Sequence, residues 1–581
     1  MTKGWGGGLG LACAFGVAGL ACLGGPRLVG LGASPARDAG VFEAGPPPDG
    51  SSPDGSDGAV SDDQLLGLAL PANVAPPMRL LDDRAVLLGN GATRCSHATP
   101  ASADGHRWCA FQVPGSTATS TELWVMDVSA VAAGAPVACD GSHATCVRLS
   151  KTLWAPYGAD FTGDTLVFYA DAPAILQTFD TFVGPAYAWR PGWLAPRLIA
   201  DHATVCTAAR GAASVVCLTD PQGETKNPDN VGLRLGFLAD VDDARLPALP
   251  GRYPLRNDGS VPWVLEMSPD GQTFALSVPD VDPGVASLFV LPVREAAKGT
   301  AMTRIIKDVQ TWSLSHDGQK VFFYRGPRTD ATLYSADFPS GNHELLVASK
   351  VVDYLALGHD TTDTALLLRV KQDQDAGAGH AFNLLRDRDH PATAQTLFTN
   401  EGFLEGIAVS PDLRFTAWVD PVFVGRSIRV SDLATCTVNP QPLTNASAVN
   451  FLDDGSLLFF SEAKQDSADV RDGWFTPPDA CAPRTRYAHD LGFLNPIGTR
   501  AIVFGDARDD HAFTVTLKYA PAPFAAGSVA AKGGYRIHGN VSNIGNLTII
   551  DGATSPTSVH LLYHATADGT RQAGSYLFGL P

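Results

Sequence analysis

Residues 264–278 read VLEMSPDGQTFALSV, and this stretch decides the fold. Pro269 presets φ for the first central position of a tight turn, and Gly271 relieves the exit from it. Beyond the turn Phe274, Leu276 and Val278 recur at every second position, the period of a strand. A strand, a four-residue turn and a second strand are therefore predicted here.

The unit repeats. WSLSHDGQKVFFY follows from Trp312, GIAVSPDLRFTAWV from Gly406, VNFLDDGSLLFFS from Val449 and LGFLNPIGTRAIVFG from Leu491. The turn positions Gly271, Gly318, Leu413, Gly455 and Gly498 lie at intervals of about 40–50 residues, the period of a propeller blade, with a double interval before Leu413. LALGHDTTDTALLLRV, around Asp360, fills that gap.

Each hairpin is followed by a third strand pattern, as in ASLFVLPV, ATLYSADF and RSIRVSDL, and often by a fourth, as in TRIIKDV and HELLVAS. Less regular copies lie upstream (GHRWCAFQV, FTGDTLVFYAD, ASVVCLTD) and one lies downstream (LTIIDG with SVHLLYHA). With 59 Gly, 42 Pro and few runs at helical spacing, the chain is predicted to be all-β. The expected architecture is a β-propeller of four-stranded antiparallel blades, eight to ten in number, in one closed ring, with two smaller rings as the alternative.

The Ser-Pro-Asp-Gly turn and the strand after it resemble the repeat of the periplasmic TolB family and its WD-like relatives. Ser268-Pro269-Asp270-Gly271 matches closely; Ser315-His316-Asp317-Gly318 and Ser410-Pro411-Asp412 match in part. The resemblance implies a propeller in the bacterial envelope. It implies no particular activity, because the same repeat serves unrelated functions.

The last copy reaches Pro581 after three strands, so a closing strand is expected from Met78–Leu81 (MRLL) or Ala85–Leu88 (AVLL). Such a strand removes the open edge of the final sheet. Three regions are expected: a signal peptide at 1–21, a Pro/Gly/Ser/Asp-rich disordered tether at 22–63 and the propeller at 64–581. Lys3 and the apolar run Leu9–Leu23 carry the signal reading. Cys22 is a candidate lipid-attachment site, although Gly19 and Leu20 depart from the usual lipobox. The membrane is expected to be touched only through this N-terminal anchor.

Eight cysteines follow the signal: Cys95, Cys109, Cys139, Cys146, Cys206, Cys217, Cys436 and Cys481. An even number in an exported chain points to disulfides. Cys206 and Cys217 flank a hairpin turn symmetrically, and Cys436 and Cys481 stand in positions that would staple neighbouring blades.

A formal net charge of −18 excludes a nucleic-acid partner, whose phosphates need basic surface. The acids concentrate between the second and third strands of successive repeats: Asp280 and Asp282, Asp330, Asp373 and Asp375, Asp420, Asp466, Asp469 and Asp472, Asp506, Asp509 and Asp510, and Asp568. In a propeller these segments share one end, so an acidic rim facing a basic partner is expected. Asp280-x-Asp282-x-Gly284 and Asp373-x-Asp375-x-Gly377 place oxygen ligands at alternate positions before a glycine, making these four aspartates the calcium candidates. The full ligand set of a calcium loop is missing, and aspartate also serves turns. No other cofactor is expected.

No nucleophile elbow or phosphate loop occurs. The leading expectation is a monomeric, exported, non-catalytic protein, periplasmic, outer-membrane-attached or secreted, that binds or scaffolds a protein or glycan partner. The alternative is a polysaccharide lyase or glycosidase working in the central depression, for which His97, His316, His359 and His511 are the residues of interest.

Overall fold

The computed structural model describes residues 28–29, 85–90, 95–96 and, between 106 and 580, all residues except 115–120, 134–145, 152–158, 163, 171–183, 209–213, 220–231, 239–244, 250–264, 281–284, 328–329, 358–364, 373–378, 402–405, 421–423, 439–445, 465–466, 509–510, 543–546, 552–558 and 566–573. Within these the chain is all-β, and its strands form eight antiparallel blades arranged as a propeller. Ten sequence repeats, here called units 1 to 10 in chain order, are distributed over the eight blades because two blades are double.

Unit 4 shows the plan: Leu265–Met267, Thr273–Pro279, Ala286–Pro292 and Thr303–Val309 pair in sequence order. Unit 5 repeats it with Trp312–Leu314, Lys320–Arg325, Thr332–Asp337 and Leu345–Ala348. Units 6, 7 and 8 begin at Val351–Leu357, Gly406–Val409 and Ala446–Phe451, and unit 9 at Leu491–Ile497. The short strand Leu28–Val29, inside the stretch read as tether, pairs with Val351–Leu357.

The first double blade holds units 2 and 3, which share the twelve-residue strand Arg197–Ala208: its first half pairs with Gly184–Trp189 and its second with Ser214–Thr219. The second holds units 9 and 10, joined where Val541 of Tyr535–Ser542 meets Ala565 of Val559–Ala565.

Second strands are buried on both faces, because each unit packs between two others. Val321 and Phe323 of unit 5 pack with Ala275 and Leu288 of unit 4, while Phe322 and Tyr324 pack with Tyr354 and Leu366 of unit 6. Comparable apolar layers join units 1 and 2, 2 and 3, 3 and 4, 6 and 7, 7 and 8, 8 and 9, and 9 and 10. Ala85–Asn90 then pairs antiparallel with Gly574–Gly579, and Cys95–Ser96 of unit 1 lies against Val559–Ala565. One ring therefore closes. Of the two expected closing segments, the one beginning at Ala85 forms the strand; Met78–Leu81 lies outside the described residues.

Because the four strands of a unit alternate in direction, the ring has two ends. The turn end carries the hairpins between first and second and between third and fourth strands. The loop end carries the connections between second and third strands and the crossovers between units.

At the turn end one hydrogen-bond lattice recurs. In unit 4 Ser268 Oγ donates to Asp270 Oδ1 (2.5 Å) and accepts from the Thr273 amide (2.9 Å), while Asp270 Oδ1 accepts from the Gln272 amide (3.0 Å). Ser315, Asp317, Gln319 and Lys320 reproduce it in unit 5, and Ser410, Asp412, Arg414 and Phe415 in unit 7. The fourth residue of the turn has positive φ, 65° at Gly271, 66° at Gly318 and 57° at Leu413, where glycine is absent.

The turns also lock onto one another. A Cβ on Gly318 would stand 2.7 Å from Pro269 Cδ of the preceding unit. Arg388 of unit 6 reaches Asp317 of unit 5 with bonds of 2.6 and 3.3 Å. Cys436 and Cys481 form a disulfide between units 7 and 8 at this end. Cys206 and Cys217, directly opposite in register, are bonded within unit 3. Cys109 and Cys146 each also take part in a disulfide; the side chain of Cys95, together with Cys139 and Cys22, lies outside what is described.

Candidate functional site

The loop end is built differently. Where a second strand reaches this end, its last residues leave the apolar layers and become charged, and each unit pairs that charge in its own way. In unit 4 both carboxylate oxygens of Asp280 accept from Ser287 Oγ (2.9 and 3.2 Å). In unit 7 Asp420 accepts from the Val424 amide at 2.8 Å and from Arg426 Nε at 3.3 Å. In unit 6 the buried pair Asp353 and Arg369 meets at 3.4 Å, with His380 Nδ1 3.4 Å from the same guanidinium. Burial pushes the Asp353 carboxyl above its ordinary range despite Arg369, and burial together with Arg369 and Lys371 lowers the His380 imidazole.

Units 8 and 9 bring the most groups together. In unit 8, Glu462 on Leu458–Lys464 lies opposite Asp472 on Ser467–Thr476. Two arginines around Thr485–Ala488 answer them: Arg484 binds Glu462 at 2.8 Å and Arg486 binds Asp472 at 3.1 Å. The Arg484 guanidinium also lies 4.4 Å from the centre of the Trp474 ring, a cation–π contact.

The crossover into unit 9 places exposed His489 with Nδ1 3.6 Å from Asp472 Oδ1. On the unit 9 side Asp506, from Ala501–Arg508, accepts a short bond from Lys518 of His511–Pro521. Burial is the largest influence on Asp506 and raises its carboxyl, outweighing Lys518. Tyr487 stands between the two units with its phenol fully buried, edge-on to Phe504 at 5.2 Å.

This seam holds acids, bases and an exposed imidazole within a few ångströms, so it can exchange protons and make charged hydrogen bonds. It is not where the sequence pointed. Asp472 and Asp506, read as loop residues, sit inside strands, because the strands run on through the charged positions, as far as Lys464 and again from Ser467 in unit 8, and as far as Arg508 and again from His511 in unit 9. His489 was missed because it belongs to a crossover between repeats, outside the motif that organised the reading. The signal that finds it is the register of the fourth strand, which ends at Ala488.

Of the calcium candidates only Asp280 is described, and both of its oxygens are engaged by Ser287; Asp282, Asp373 and Asp375 lie outside the described residues. Among the described residues no group of three or more His, Cys, Asp or Glu side chains is placed to hold a metal ion. His316 lies in the unit 5 turn, at the turn end, and His511 opens a third strand, while His97 and His359 lie outside the described residues. No helix among the described residues is long and apolar enough to cross a membrane.

No family model matches the chain, and no curated protein matches it. Among solved structures it is similar to a crystal structure of the eukaryotic initiation factor, at 10% identity and a TM-score of 0.41, over 72% of this chain and 95% of that one. An oligogalacturonate lyase in complex with manganese is 13% identical with a TM-score of 0.30, over 54% and 88% respectively. The tricorn protease is 11% identical with a TM-score of 0.30, and 82% of this chain matches 52% of it. At these values the likeness carries nothing about activity.

Proposed function

We propose that this chain is an exported, TolB-like binding protein of the bacterial envelope, which uses the loop end of a rigid ring to hold a basic protein partner. One observation carries the reading. The turn end is the same lattice in units 4, 5 and 7, whereas the loop end differs from unit to unit in which side chain answers the charge. A repeated end serves the scaffold; an unrepeated end is where selectivity is built, since loops on a rigid frame tolerate variation.

The sign of the partner comes from the chain's charge and from its acidic connections. Disulfides support an oxidising compartment, and a lipid on Cys22 would keep the ring at a membrane. Charge steering by such a rim acts mainly on association and weakens with salt.

The test uses a lysine-rich peptide as probe. Replacing Asp282, Asp330, Asp373, Asp375, Asp509 and Asp510 by Asn is expected to weaken its binding at least tenfold, the effect shrinking at high salt. Equal affinity of that variant and the native chain, measured by calorimetry, would remove the reading.

At the loop end the enzymatic alternative would rest on the exposed His489 beside Asp472. Incubation with acidic oligosaccharides, followed by chromatography of the products, tests it: cleavage by the native chain that is lost in His489→Ala would favour a lyase or glycosidase.

A further inference from the structure

First strands line the central channel. Those of units 4, 5 and 6 are linked directly, by Glu266 Oε2 accepting from the Leu314 amide at 3.0 Å and by Ser313 Oγ meeting Tyr354 Oη at 2.5 Å, as befits the strands nearest the axis of radiating blades. In unit 6 the first strand, Val351–Leu357, is enclosed on three sides. Tyr354 and Ala356 pack with unit 5, Leu355 and Leu357 pack with unit 7, and Ala365–Lys371 takes the outer edge. The inner edge is left, and there the structure holds a fifth strand, Leu28–Val29. An open strand edge leaves backbone groups without partners. Unit 5 answers with the Glu266 carboxylate on its Leu314 amide; unit 6 answers with a second piece of chain.

The register sets the direction of that piece. Leu28 lies opposite Leu355 and Val29 opposite Tyr354, so it runs against the first strand. The first strand starts from a crossover at the loop end and runs toward the turn end. The N-terminal segment therefore enters the channel from the turn end and leaves toward the loop end. Cys22 stands six residues before Leu28, joined by a chain that spans at most about 20 Å. Leu355 is two residues, about 7 Å, from the end of its strand at Leu357. Doubling back toward the loop end would use about four residues for a turn and leave too few to pass Val351.

We propose that this segment threads the channel as the inner strand of unit 6 and sets the ring with its turn end to the membrane and its acidic loop end away from it. The threading stands on the pairing; the orientation rests on the reading of Cys22 as the lipid-bearing residue. A lipid held so close to the channel mouth keeps the repeated turn lattice beside the bilayer and leaves the variable loops open to a partner.

Spin labels on the full chain test both parts. Thr311 and Gln319 are exposed and flank the first strand of unit 5, at the loop end and the turn end respectively. With Cys22→Ser and a label at Gly25→Cys, the dipolar distance to Gln319→Cys is expected to be about 5–10 Å shorter than that to Thr311→Cys; equal distances or the reverse order overturn the threading. Leu28→Pro with Val29→Pro removes the ladder donors and is expected to abolish the difference; a difference that persists overturns the pairing. With Cys22 restored, vesicles doped with a nickel-chelating lipid read the orientation. Faster relaxation of the Gln319 label than of the Thr311 label is expected, and equal rates or the opposite order overturn it. A chain that stays off the vesicles removes the lipid reading and the orientation with it, while the distance measurement still decides the threading.

Discussion

The two ends of the ring handle buried charge in opposite ways. At the turn end Asp317 and Asp412 are surrounded by donors: burial alone would raise their carboxyls, but Arg388, Ser315 and the Gln319 amide at one, and Ser410 and Arg414 at the other, hold them below the ordinary range. At the loop end burial outweighs the groups that oppose it, Arg369 at Asp353, and Lys518 with the His489 amide and imidazole at Asp506. The turn end is thus polar and satisfied, and contributes stability. The loop end pairs Asp280, Asp420, Glu462 and Asp472, but it also keeps Asp353 and Asp506 where burial costs stability.

Breaking the turn end should do the most damage. Removing the Cys436–Cys481 staple by a double change to Ser releases a closure over a separation of 45 residues. In the chain-entropy account this costs about 4 kcal/mol, to be read as a lower denaturant midpoint. The shorter Cys206–Cys217 closure, over 11 residues, should cost less, about 3 kcal/mol.

The same exchange made at both ends sharpens the contrast. Asp317→Leu with Arg388→Met strips Ser315 and the Gln319 amide of their acceptor and should destabilise by about 2 kcal/mol. Asp353→Leu with Arg369→Met replaces a buried pair at 3.4 Å by apolar packing and should be neutral or stabilising by about 1 kcal/mol. A similar loss at both sites, by urea unfolding, would erase the distinction.

Acid pH should split the two ends by sign. For Asp317 and Asp412, whose folded pKa is lowered, stability present above the unfolded value of about 3.9 is lost as pH falls below it. For Asp353 and Asp506, whose folded pKa is raised, the folded state holds more protons, and their contribution is lost as pH rises from about 3.9 through the folded value. Asp412→Asn should therefore flatten the fall of Tm between about pH 4 and pH 2, whereas Asp353→Asn should flatten the change above about pH 4. The smallest effect expected is that of calcium. With Asp280 already bonded through both oxygens, millimolar Ca²⁺ should leave Tm unchanged; a rise would show binding to the native state.

The turns themselves were legible in the sequence, because Pro269 and Gly271 at fixed offsets set them. The bonds of Ser268 and Asp270 inside the turn and the Arg388–Asp317 lock between units were not read there, the second because it joins residues 71 apart. The closing strand was legible as well, from the missing fourth strand of the last repeat. Two features were not. The fusion of units 2 and 3 depends on Arg197–Ala208 running on, through register shifts between Leu198 and Val205, from one pairing into the next, which no local pattern announces. The loop-end seam depends on which side chains from different units meet, so that Tyr487, His489 and Asp506, each unremarkable alone, acquire their character only from the packing of unit 8 on unit 9.

The central claim is that one end holds the ring together and the other holds the partner. Hydrogen–deuterium exchange of the full chain with and without the lysine-rich peptide tests it most directly. New protection is predicted in 281–284, 373–378, 421–423 and 509–510, with none in the turns at 269–272, 316–319 and 411–414. Protection centred on those turns would contradict the account.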